Sequence, residues 1–125
     1  GDVEKAVAAA KKAFASYSQT SREERLVLLE KLLGIYYAKI EQMAEHISAE
    51  MGAPNTLART AQAPAGLAHI QIGIDALKNL PKESKAGAAT VVKEPVGVCA
   101  LVTPWNWPID VRYRRGLGAI AAPKG

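Results

Sequence analysis

Over the first eighty residues apolar side chains recur at steps of three and four, and past Pro81 that rhythm gives way to clustered β-branched residues. This switch constrains the fold most, because a period near 3.6 buries one stripe of a helix, whereas runs of Val and Thr favour extended backbone. Val3, Val7, Ala10, Phe14 and Tyr17 make the first stripe, with Asp2 placed to cap it, and predict an amphipathic helix facing a core. Ser18 to Ser21 interrupt it. Thr20, with Glu23 three residues later, reads as a capping box that opens a second helix. Leu26, Leu29, Leu33, Tyr36 and Ile40 carry the spacing onward, then Met43, Ile47 and Met51, until Gly52 and Pro54 stop it. Two helices joined near Gly34 to Lys39 suit this span better than one, since uncapped helices of that length are uncommon. Another helical stretch runs from about Thr56 to Leu80, kinked or restarted by Pro64, with Leu67, Ile70, Ile74 and Leu77 among its apolar residues.

Pro81 to Gly87 is polar and reads as a connector. Thr90-Val91-Val92 is strand-like, and Val98-Cys99-Ala100-Leu101-Val102 is a continuous apolar run of the kind found in strands buried on both faces of a parallel sheet. Cys99 would then be a packed, inert thiol rather than a nucleophile. Ile109 to Ala122 permits a helix, weakened by Gly116, Gly118 and Pro123. The expected class is α/β, without internal repeats.

Composition narrows the function. A chain of 125 residues that is 49% hydrophobic can bury one core. No apolar run approaches the ~18 to 20 residues of a membrane span, and Gly1-Asp2-Val3-Glu4-Lys5 does not open a secretory signal, so a soluble, cytoplasmic protein without a membrane partner is expected. The single cysteine excludes an intramolecular disulfide and argues against a cysteine-held metal. The formal charge of +4 comes from Lys and Arg interleaved with Asp and Glu, which reads as a solvated surface and gives no nucleic-acid partner. The local exception is Arg112, Arg114, Arg115 and Lys124 around Tyr113; a nucleic-acid role there would require salt-sensitive binding. His46 and His69 stand one to a helix without a second ligand at helical spacing, so no metal site is expected, and Glu45 and Asp75 read as surface charges.

Chemistry concentrates in Thr103-Pro104-Trp105-Asn106-Trp107-Pro108, directly after the apolar run. Proline fixes φ, tryptophan offers a flat face, and the Asn106 amide can donate to a developing negative charge. In open α/β sheets ligands bind beyond the carboxyl ends of strands, where this loop would lie. Residue chemistry alone leaves a second reading open, a structural turn in which the tryptophans fill core space and Asn106 satisfies backbone groups.

Glu94-Pro95-Val96-Gly97-Val98, followed at this separation by Thr103-Pro104-Trp105-Asn106-Trp107-Pro108, resembles a signature of the aldehyde dehydrogenase superfamily. Asp2 to Val7 resembles the opening of that family's first helix, and Arg22 to Gly52 the helices that follow. The resemblance implies an incomplete aldehyde dehydrogenase fold, with N-terminal helices leading into the first strand of a Rossmann-like dinucleotide-binding sheet. Residues 1–125 would be the N-terminal part of the cofactor-binding domain: 1–80 helical, 88–93 a strand of the oligomerisation region, and 98–125 the first sheet strand, the Trp-Asn loop and the following helix.

In that family a cysteine thiolate attacks an aldehyde, hydride passes to the nicotinamide of NAD or NADP, and a glutamate-activated water releases the acid. By place in the motif, Asn106 matches the donor to the substrate oxyanion, and Thr103, Pro104, Trp105 and Asn106 match positions at the nicotinamide end of the cofactor cleft. The complete enzyme is expected to be a homo-oligomer. Beyond the loop, Gly118 stands where the family usually has proline and Pro123 where it has a terminal glycine, and the neighbours of Lys124 do not match the cofactor lysine motif. The chain stops before that motif, the general-base glutamate and the nucleophilic cysteine, so the isolated chain is expected to be inactive. The alternative is a non-catalytic relative that acts by pairing with full-length subunits.

Overall fold

The computed structural model describes residues 1–81, 83–102 and 105–109. The expected helix over Ile109 to Ala122, the basic cluster of Arg112, Arg114, Arg115 and Lys124, and the site positions Thr103 and Pro104 lie outside the described residues, apart from Ile109. Among the described residues five α-helices precede two strands: α1 (Asp2–Tyr17), α2 (Arg22–Ala38), α3 (Ile40–Met51), the single turn α4 (Asn55–Leu57), α5 (Ala63–Asn79), β1 (Glu83–Ala86) and β2 (Ala89–Val92). A π-helical turn, Ala58–Gln62, links α4 to α5.

The joint expected between Gly34 and Lys39 falls at Lys39, which ends α2 and opens α3. Gly52 closes α3 in the left-handed conformation, φ 74°. Pro64 sits in the first turn of α5, where its missing N–H is tolerated. In a continuous α-helix its ring would meet the carbonyl of Thr60 four residues earlier, and the wider π turn directly before it relieves that conflict.

The core lies where α2 and α5 meet, with Leu29, Tyr36, Ile70, Ile74 and Leu77 buried. A second cluster joins α3 to the π turn through Ala44, Ile47, Ala53, Ala58 and Ala63, small side chains that let the two segments approach closely. Ion pairs cover the seams on the outside, Arg59 with Glu41 (3.3 Å) and Glu45 (3.6 Å), and Lys78 with Glu30 (3.0 Å). They are half-exposed and add little to stability.

Several expectations fail at the N-terminal end. Gly1, not Asp2, occupies the cap of α1, without a side-chain cap bond, and Asp2 lies inside the first turn. The α1 stripe faces no core: none of its residues is buried, and Val3 and Val7 are exposed. The capping box of α2 is shifted by one residue. The Ser21 hydroxyl accepts from the Glu24 N–H (3.1 Å), the Glu24 carboxylate accepts from the Ser21 N–H (2.7 Å), and Thr20 instead turns its hydroxyl back to the Tyr17 carbonyl (2.7 Å). Arg25 holds the corner between α1 and α2. It is buried, donates to the Tyr17 carbonyl (2.8 Å) and lies 4.6 Å from the Tyr17 ring centroid. Burial pushes the Tyr17 hydroxyl above its ordinary pKa, and the Arg25 charge opposes that rise.

The other corrections concern the strands. Residues 83–86, expected as connector, form β1 and pair antiparallel with β2, Glu83 opposite Val92 and Ala86 opposite Ala89. Gly87 opens the two-residue turn between them with φ 62°, the place where type II′ turns put glycine. Val98–Val102 pairs with no strand among the described residues, and Val98, Leu101 and Val102 are exposed. A parallel strand exists only through its neighbours, and this ladder has none. Cys99 is accordingly exposed, not packed, its Sγ 3.8 Å from the Gly97 carbonyl.

Candidate active-site loop

Residues 105–109 return to the helical core and are fastened to it from one side. Ile109 packs against both buried clusters, reaching α5 at Gly66. A β-carbon at Gly66 would overlap the Ile109 side chain and lie 2.5 Å from the Tyr36 hydroxyl oxygen, so only glycine admits both neighbours. Tyr36 is fixed in turn, because its buried hydroxyl donates to the Ala63 carbonyl at 2.8 Å.

The second fastening is Gln62, at the end of the π turn. Its Nε2 donates to the backbone carbonyl of Asn106 at 2.8 Å, forty-four residues along the chain, and lies 3.8 Å from the Met51 sulfur. Gln62 is 2% exposed. Its Oε1 is buried without a hydrogen-bond partner among the described residues.

With the backbone held from behind, the side chains of Trp105 and Asn106 remain accessible: Trp105 is 89% exposed and Asn106 is exposed. The reading in which both tryptophans fill core space therefore fails for Trp105; Trp107 is half-buried. The loop can offer an aromatic face and a neutral amide donor on an anchored backbone. Sequence reasoning missed Gln62, Gly66 and Tyr36 as the parts that position it.

Other candidates do not assemble into sites. Among the described residues no group of three or more His, Cys, Asp or Glu could hold a metal ion, and no helix is long and apolar enough to cross a membrane. Glu45 pairs with Arg59, and the exposed Asp75 accepts from Gln71 at 2.9 Å. An apolar groove of about 540 Å³ between α2 and α5, lined by Leu33, Gly34, Tyr37, Pro64, Leu67 and Gln71 among others, is not lined by the loop.

The helices, the hairpin and the loop have counterparts in known proteins. Residues 1–123 match the aldehyde dehydrogenase family, and the chain belongs to it. It is 43% identical to a 3-succinoylsemialdehyde-pyridine dehydrogenase of a Pseudomonas species over 96% of this chain and 25% of the relative. A solved mutant of aldehyde dehydrogenase C from Pseudomonas syringae, in complex with NAD+ and octanal, superposes with a TM-score of 0.91 at 40% identity, over 97% of this chain and 25% of that one. An aldehyde dehydrogenase from Bartonella henselae superposes at 0.92 with 38% identity, over 97% and 26%. The fold is thus the helical N-terminal portion of the aldehyde dehydrogenase fold, and the chain spans about a quarter of the length of these relatives.

Proposed function

We propose that this chain is the N-terminal part of the cofactor-binding domain of an aldehyde dehydrogenase that oxidises an aldehyde to a carboxylic acid with NAD or NADP, and that Asn106 is its donor to the substrate oxyanion. The observation that carries the reading is the loop itself, an exposed Asn106 side chain on a backbone whose carbonyl is pinned by a buried amide. When a thiolate adds to an aldehyde, negative charge gathers on the former carbonyl oxygen. An amide already held in place stabilises that charge without reorganising at the moment of reaction.

The residues fit the nicotinamide end of a dinucleotide. Trp105 presents an open aromatic face beside an uncharged amide, and Thr103 and Pro104 complete the lining by their place in the motif. NAD or NADP, when bound there, supplies the hydride acceptor. The protein's own part is to orient and donate: Asn106 directs its N–H toward the substrate oxygen, and the prolines restrict the loop. The catalytic cysteine and the general-base glutamate are those the family carries elsewhere in its sequence, so residues 1–125 alone do not turn over aldehyde.

Self-association in the complete enzyme through residues 88–93 belongs to the same proposal. The exposed valines Val91 and Val92 on β2 support it. A cytoplasmic setting agrees with one unpaired, exposed cysteine.

Asn106→Ala tests the assignment in a dehydrogenase of full family length that carries this segment. Loss of one oxyanion donor costs about 10²- to 10³-fold in turnover. Steady-state aldehyde oxidation followed by cofactor reduction should show a loss of that size with KM little changed; turnover near that of the unaltered enzyme would refute the role.

A further inference from the structure

We infer that Gln62 is a positioning residue for this reaction, acting through Asn106, and the inference rests on the oxyanion reading of Asn106 given above. The carbonyl of Asn106 can only accept, so the side-chain atom of Gln62 that lies 2.8 Å from it must be the amide nitrogen. That contact fixes the plane of the peptide between Asn106 and Trp107, and with it ψ of Asn106 and the direction in which its side chain leaves the backbone.

The base of the contact is rigid. Gln62 is 2% exposed and stands between the fully buried Ala58 and Ala63, on a π turn packed against α3. Turns of this kind occur mostly as single insertions, often at functional sites.

A purely structural role explains Gln62 poorly. Its Oε1 is buried without a hydrogen-bond partner among the described residues, and packing alone does not call for an amide there, since an aliphatic side chain of similar volume would fill the same space without an unpaired oxygen. The amide makes sense by what its other end does, which is to hold the backbone of a loop whose side chains are otherwise open. Ile109 fastens the far end of the segment, and Gln62 fastens Asn106 itself.

A double-variant cycle tests this in a dehydrogenase of full family length that carries the segment. Misplacing a catalytic group by about 1 Å can cost on the order of 10²-fold, so Gln62→Leu should lower kcat by about 10- to 100-fold with KM little changed. Because Gln62 acts through Asn106, the double variant Gln62→Leu/Asn106→Ala should be no slower than Asn106→Ala alone. Gln62→Leu also strips the Asn106 carbonyl of this donor, so a modest fall in the thermal midpoint is expected and the kcat loss and its absence in the Asn106→Ala background carry the test. Gln62→Met, which keeps the length of the side chain and carries no donor, should reproduce the kcat loss and stands in should the leucine variant fail to fold.

An equal loss from Gln62→Leu in both backgrounds, or a lowered midpoint with kcat intact, would overturn the positioning role while leaving Asn106 as the donor. Normal turnover of Asn106→Ala would instead overturn the oxyanion reading and this inference with it.

Discussion

Gly66 and Tyr36 illustrate how individual residues hold the loop. A methyl group at Gly66 must displace both the Tyr36 hydroxyl and Ile109, and overpacking of this kind costs about 1–3 kcal/mol. Gly66→Ala should lower the thermal midpoint and at the same time increase solvent quenching of the half-buried Trp107, because Ile109, two residues on in the same segment, must shift to admit the methyl group. A midpoint equal to that of the unaltered chain would mean that the loop does not press on Gly66. Tyr36→Phe removes one buried hydrogen bond to the Ala63 carbonyl, which should cost about 0.5–1.5 kcal/mol in denaturant unfolding. In sequence these residues carried unequal signals. Tyr36 was legible as core from its place in the apolar stripe. Gln62 was not, since a lone glutamine among alanines reads as a surface position until the distant loop that it contacts is known.

For the helices, the sequence signals were strong wherever proline or glycine punctuates the chain and ambiguous wherever several residues of one type compete. Gly52, Pro54 and Pro64 stop or restart helices where expected. In Thr20-Ser21-Arg22-Glu23-Glu24 two overlapping frames satisfy the capping-box pattern. The choice falls to Ser21 because its backbone is extended, φ −71° and ψ 167°, while the Thr20 hydroxyl is spent on Tyr17. Ser21→Ala should therefore destabilise α2 by about 1 kcal/mol and Thr20→Ala by less, a difference readable in denaturant midpoints. The box also sets a pH dependence. Hydrogen bonds from the Ser21 backbone and side chain hold the Glu24 carboxyl below its ordinary value of 4.5. A carboxyl depressed in the folded state contributes stability that is present above that ordinary value and lost as pH falls through the folded one. The midpoint advantage over Glu24→Gln should shrink on acidification below about pH 4.5, and an advantage that persists there would show that the bond is not what lowers the group. β1 was unreadable for a different reason. All four of its residues are exposed, so neither alternation nor an apolar run marks Glu83–Ala86, and only the glycine turn that follows betrays a hairpin.

Among the described residues, burial is concentrated in α2, α3, the π turn and α5, and the outer parts contribute helix or strand without core. The stripe of α1 and the apolar run 98–102 were read as faces packed in a core and neither is buried among the described residues, because periodicity says only that a face wants a partner. Which element supplies that partner is a property of the tertiary fold. Among the described residues α1 buries nothing and is tied to the core through the Arg25 contact with Tyr17 at its C-terminal end. A helix of 16 residues without tertiary support is close to the length at which isolated helices are marginal in water. Its amides should therefore exchange through local fraying, while those of Leu29, Ile70 and Ile74 exchange only when the core opens. Hydrogen exchange at low protein concentration should find Val7 and Ala10 protected far less than Ile74. Equal protection would show that α1 unfolds together with the core. Protection at Val7 that grows with protein concentration, while Ile74 stays constant, would instead show a second copy covering the α1 stripe, since mass action stabilises only the surface that association buries.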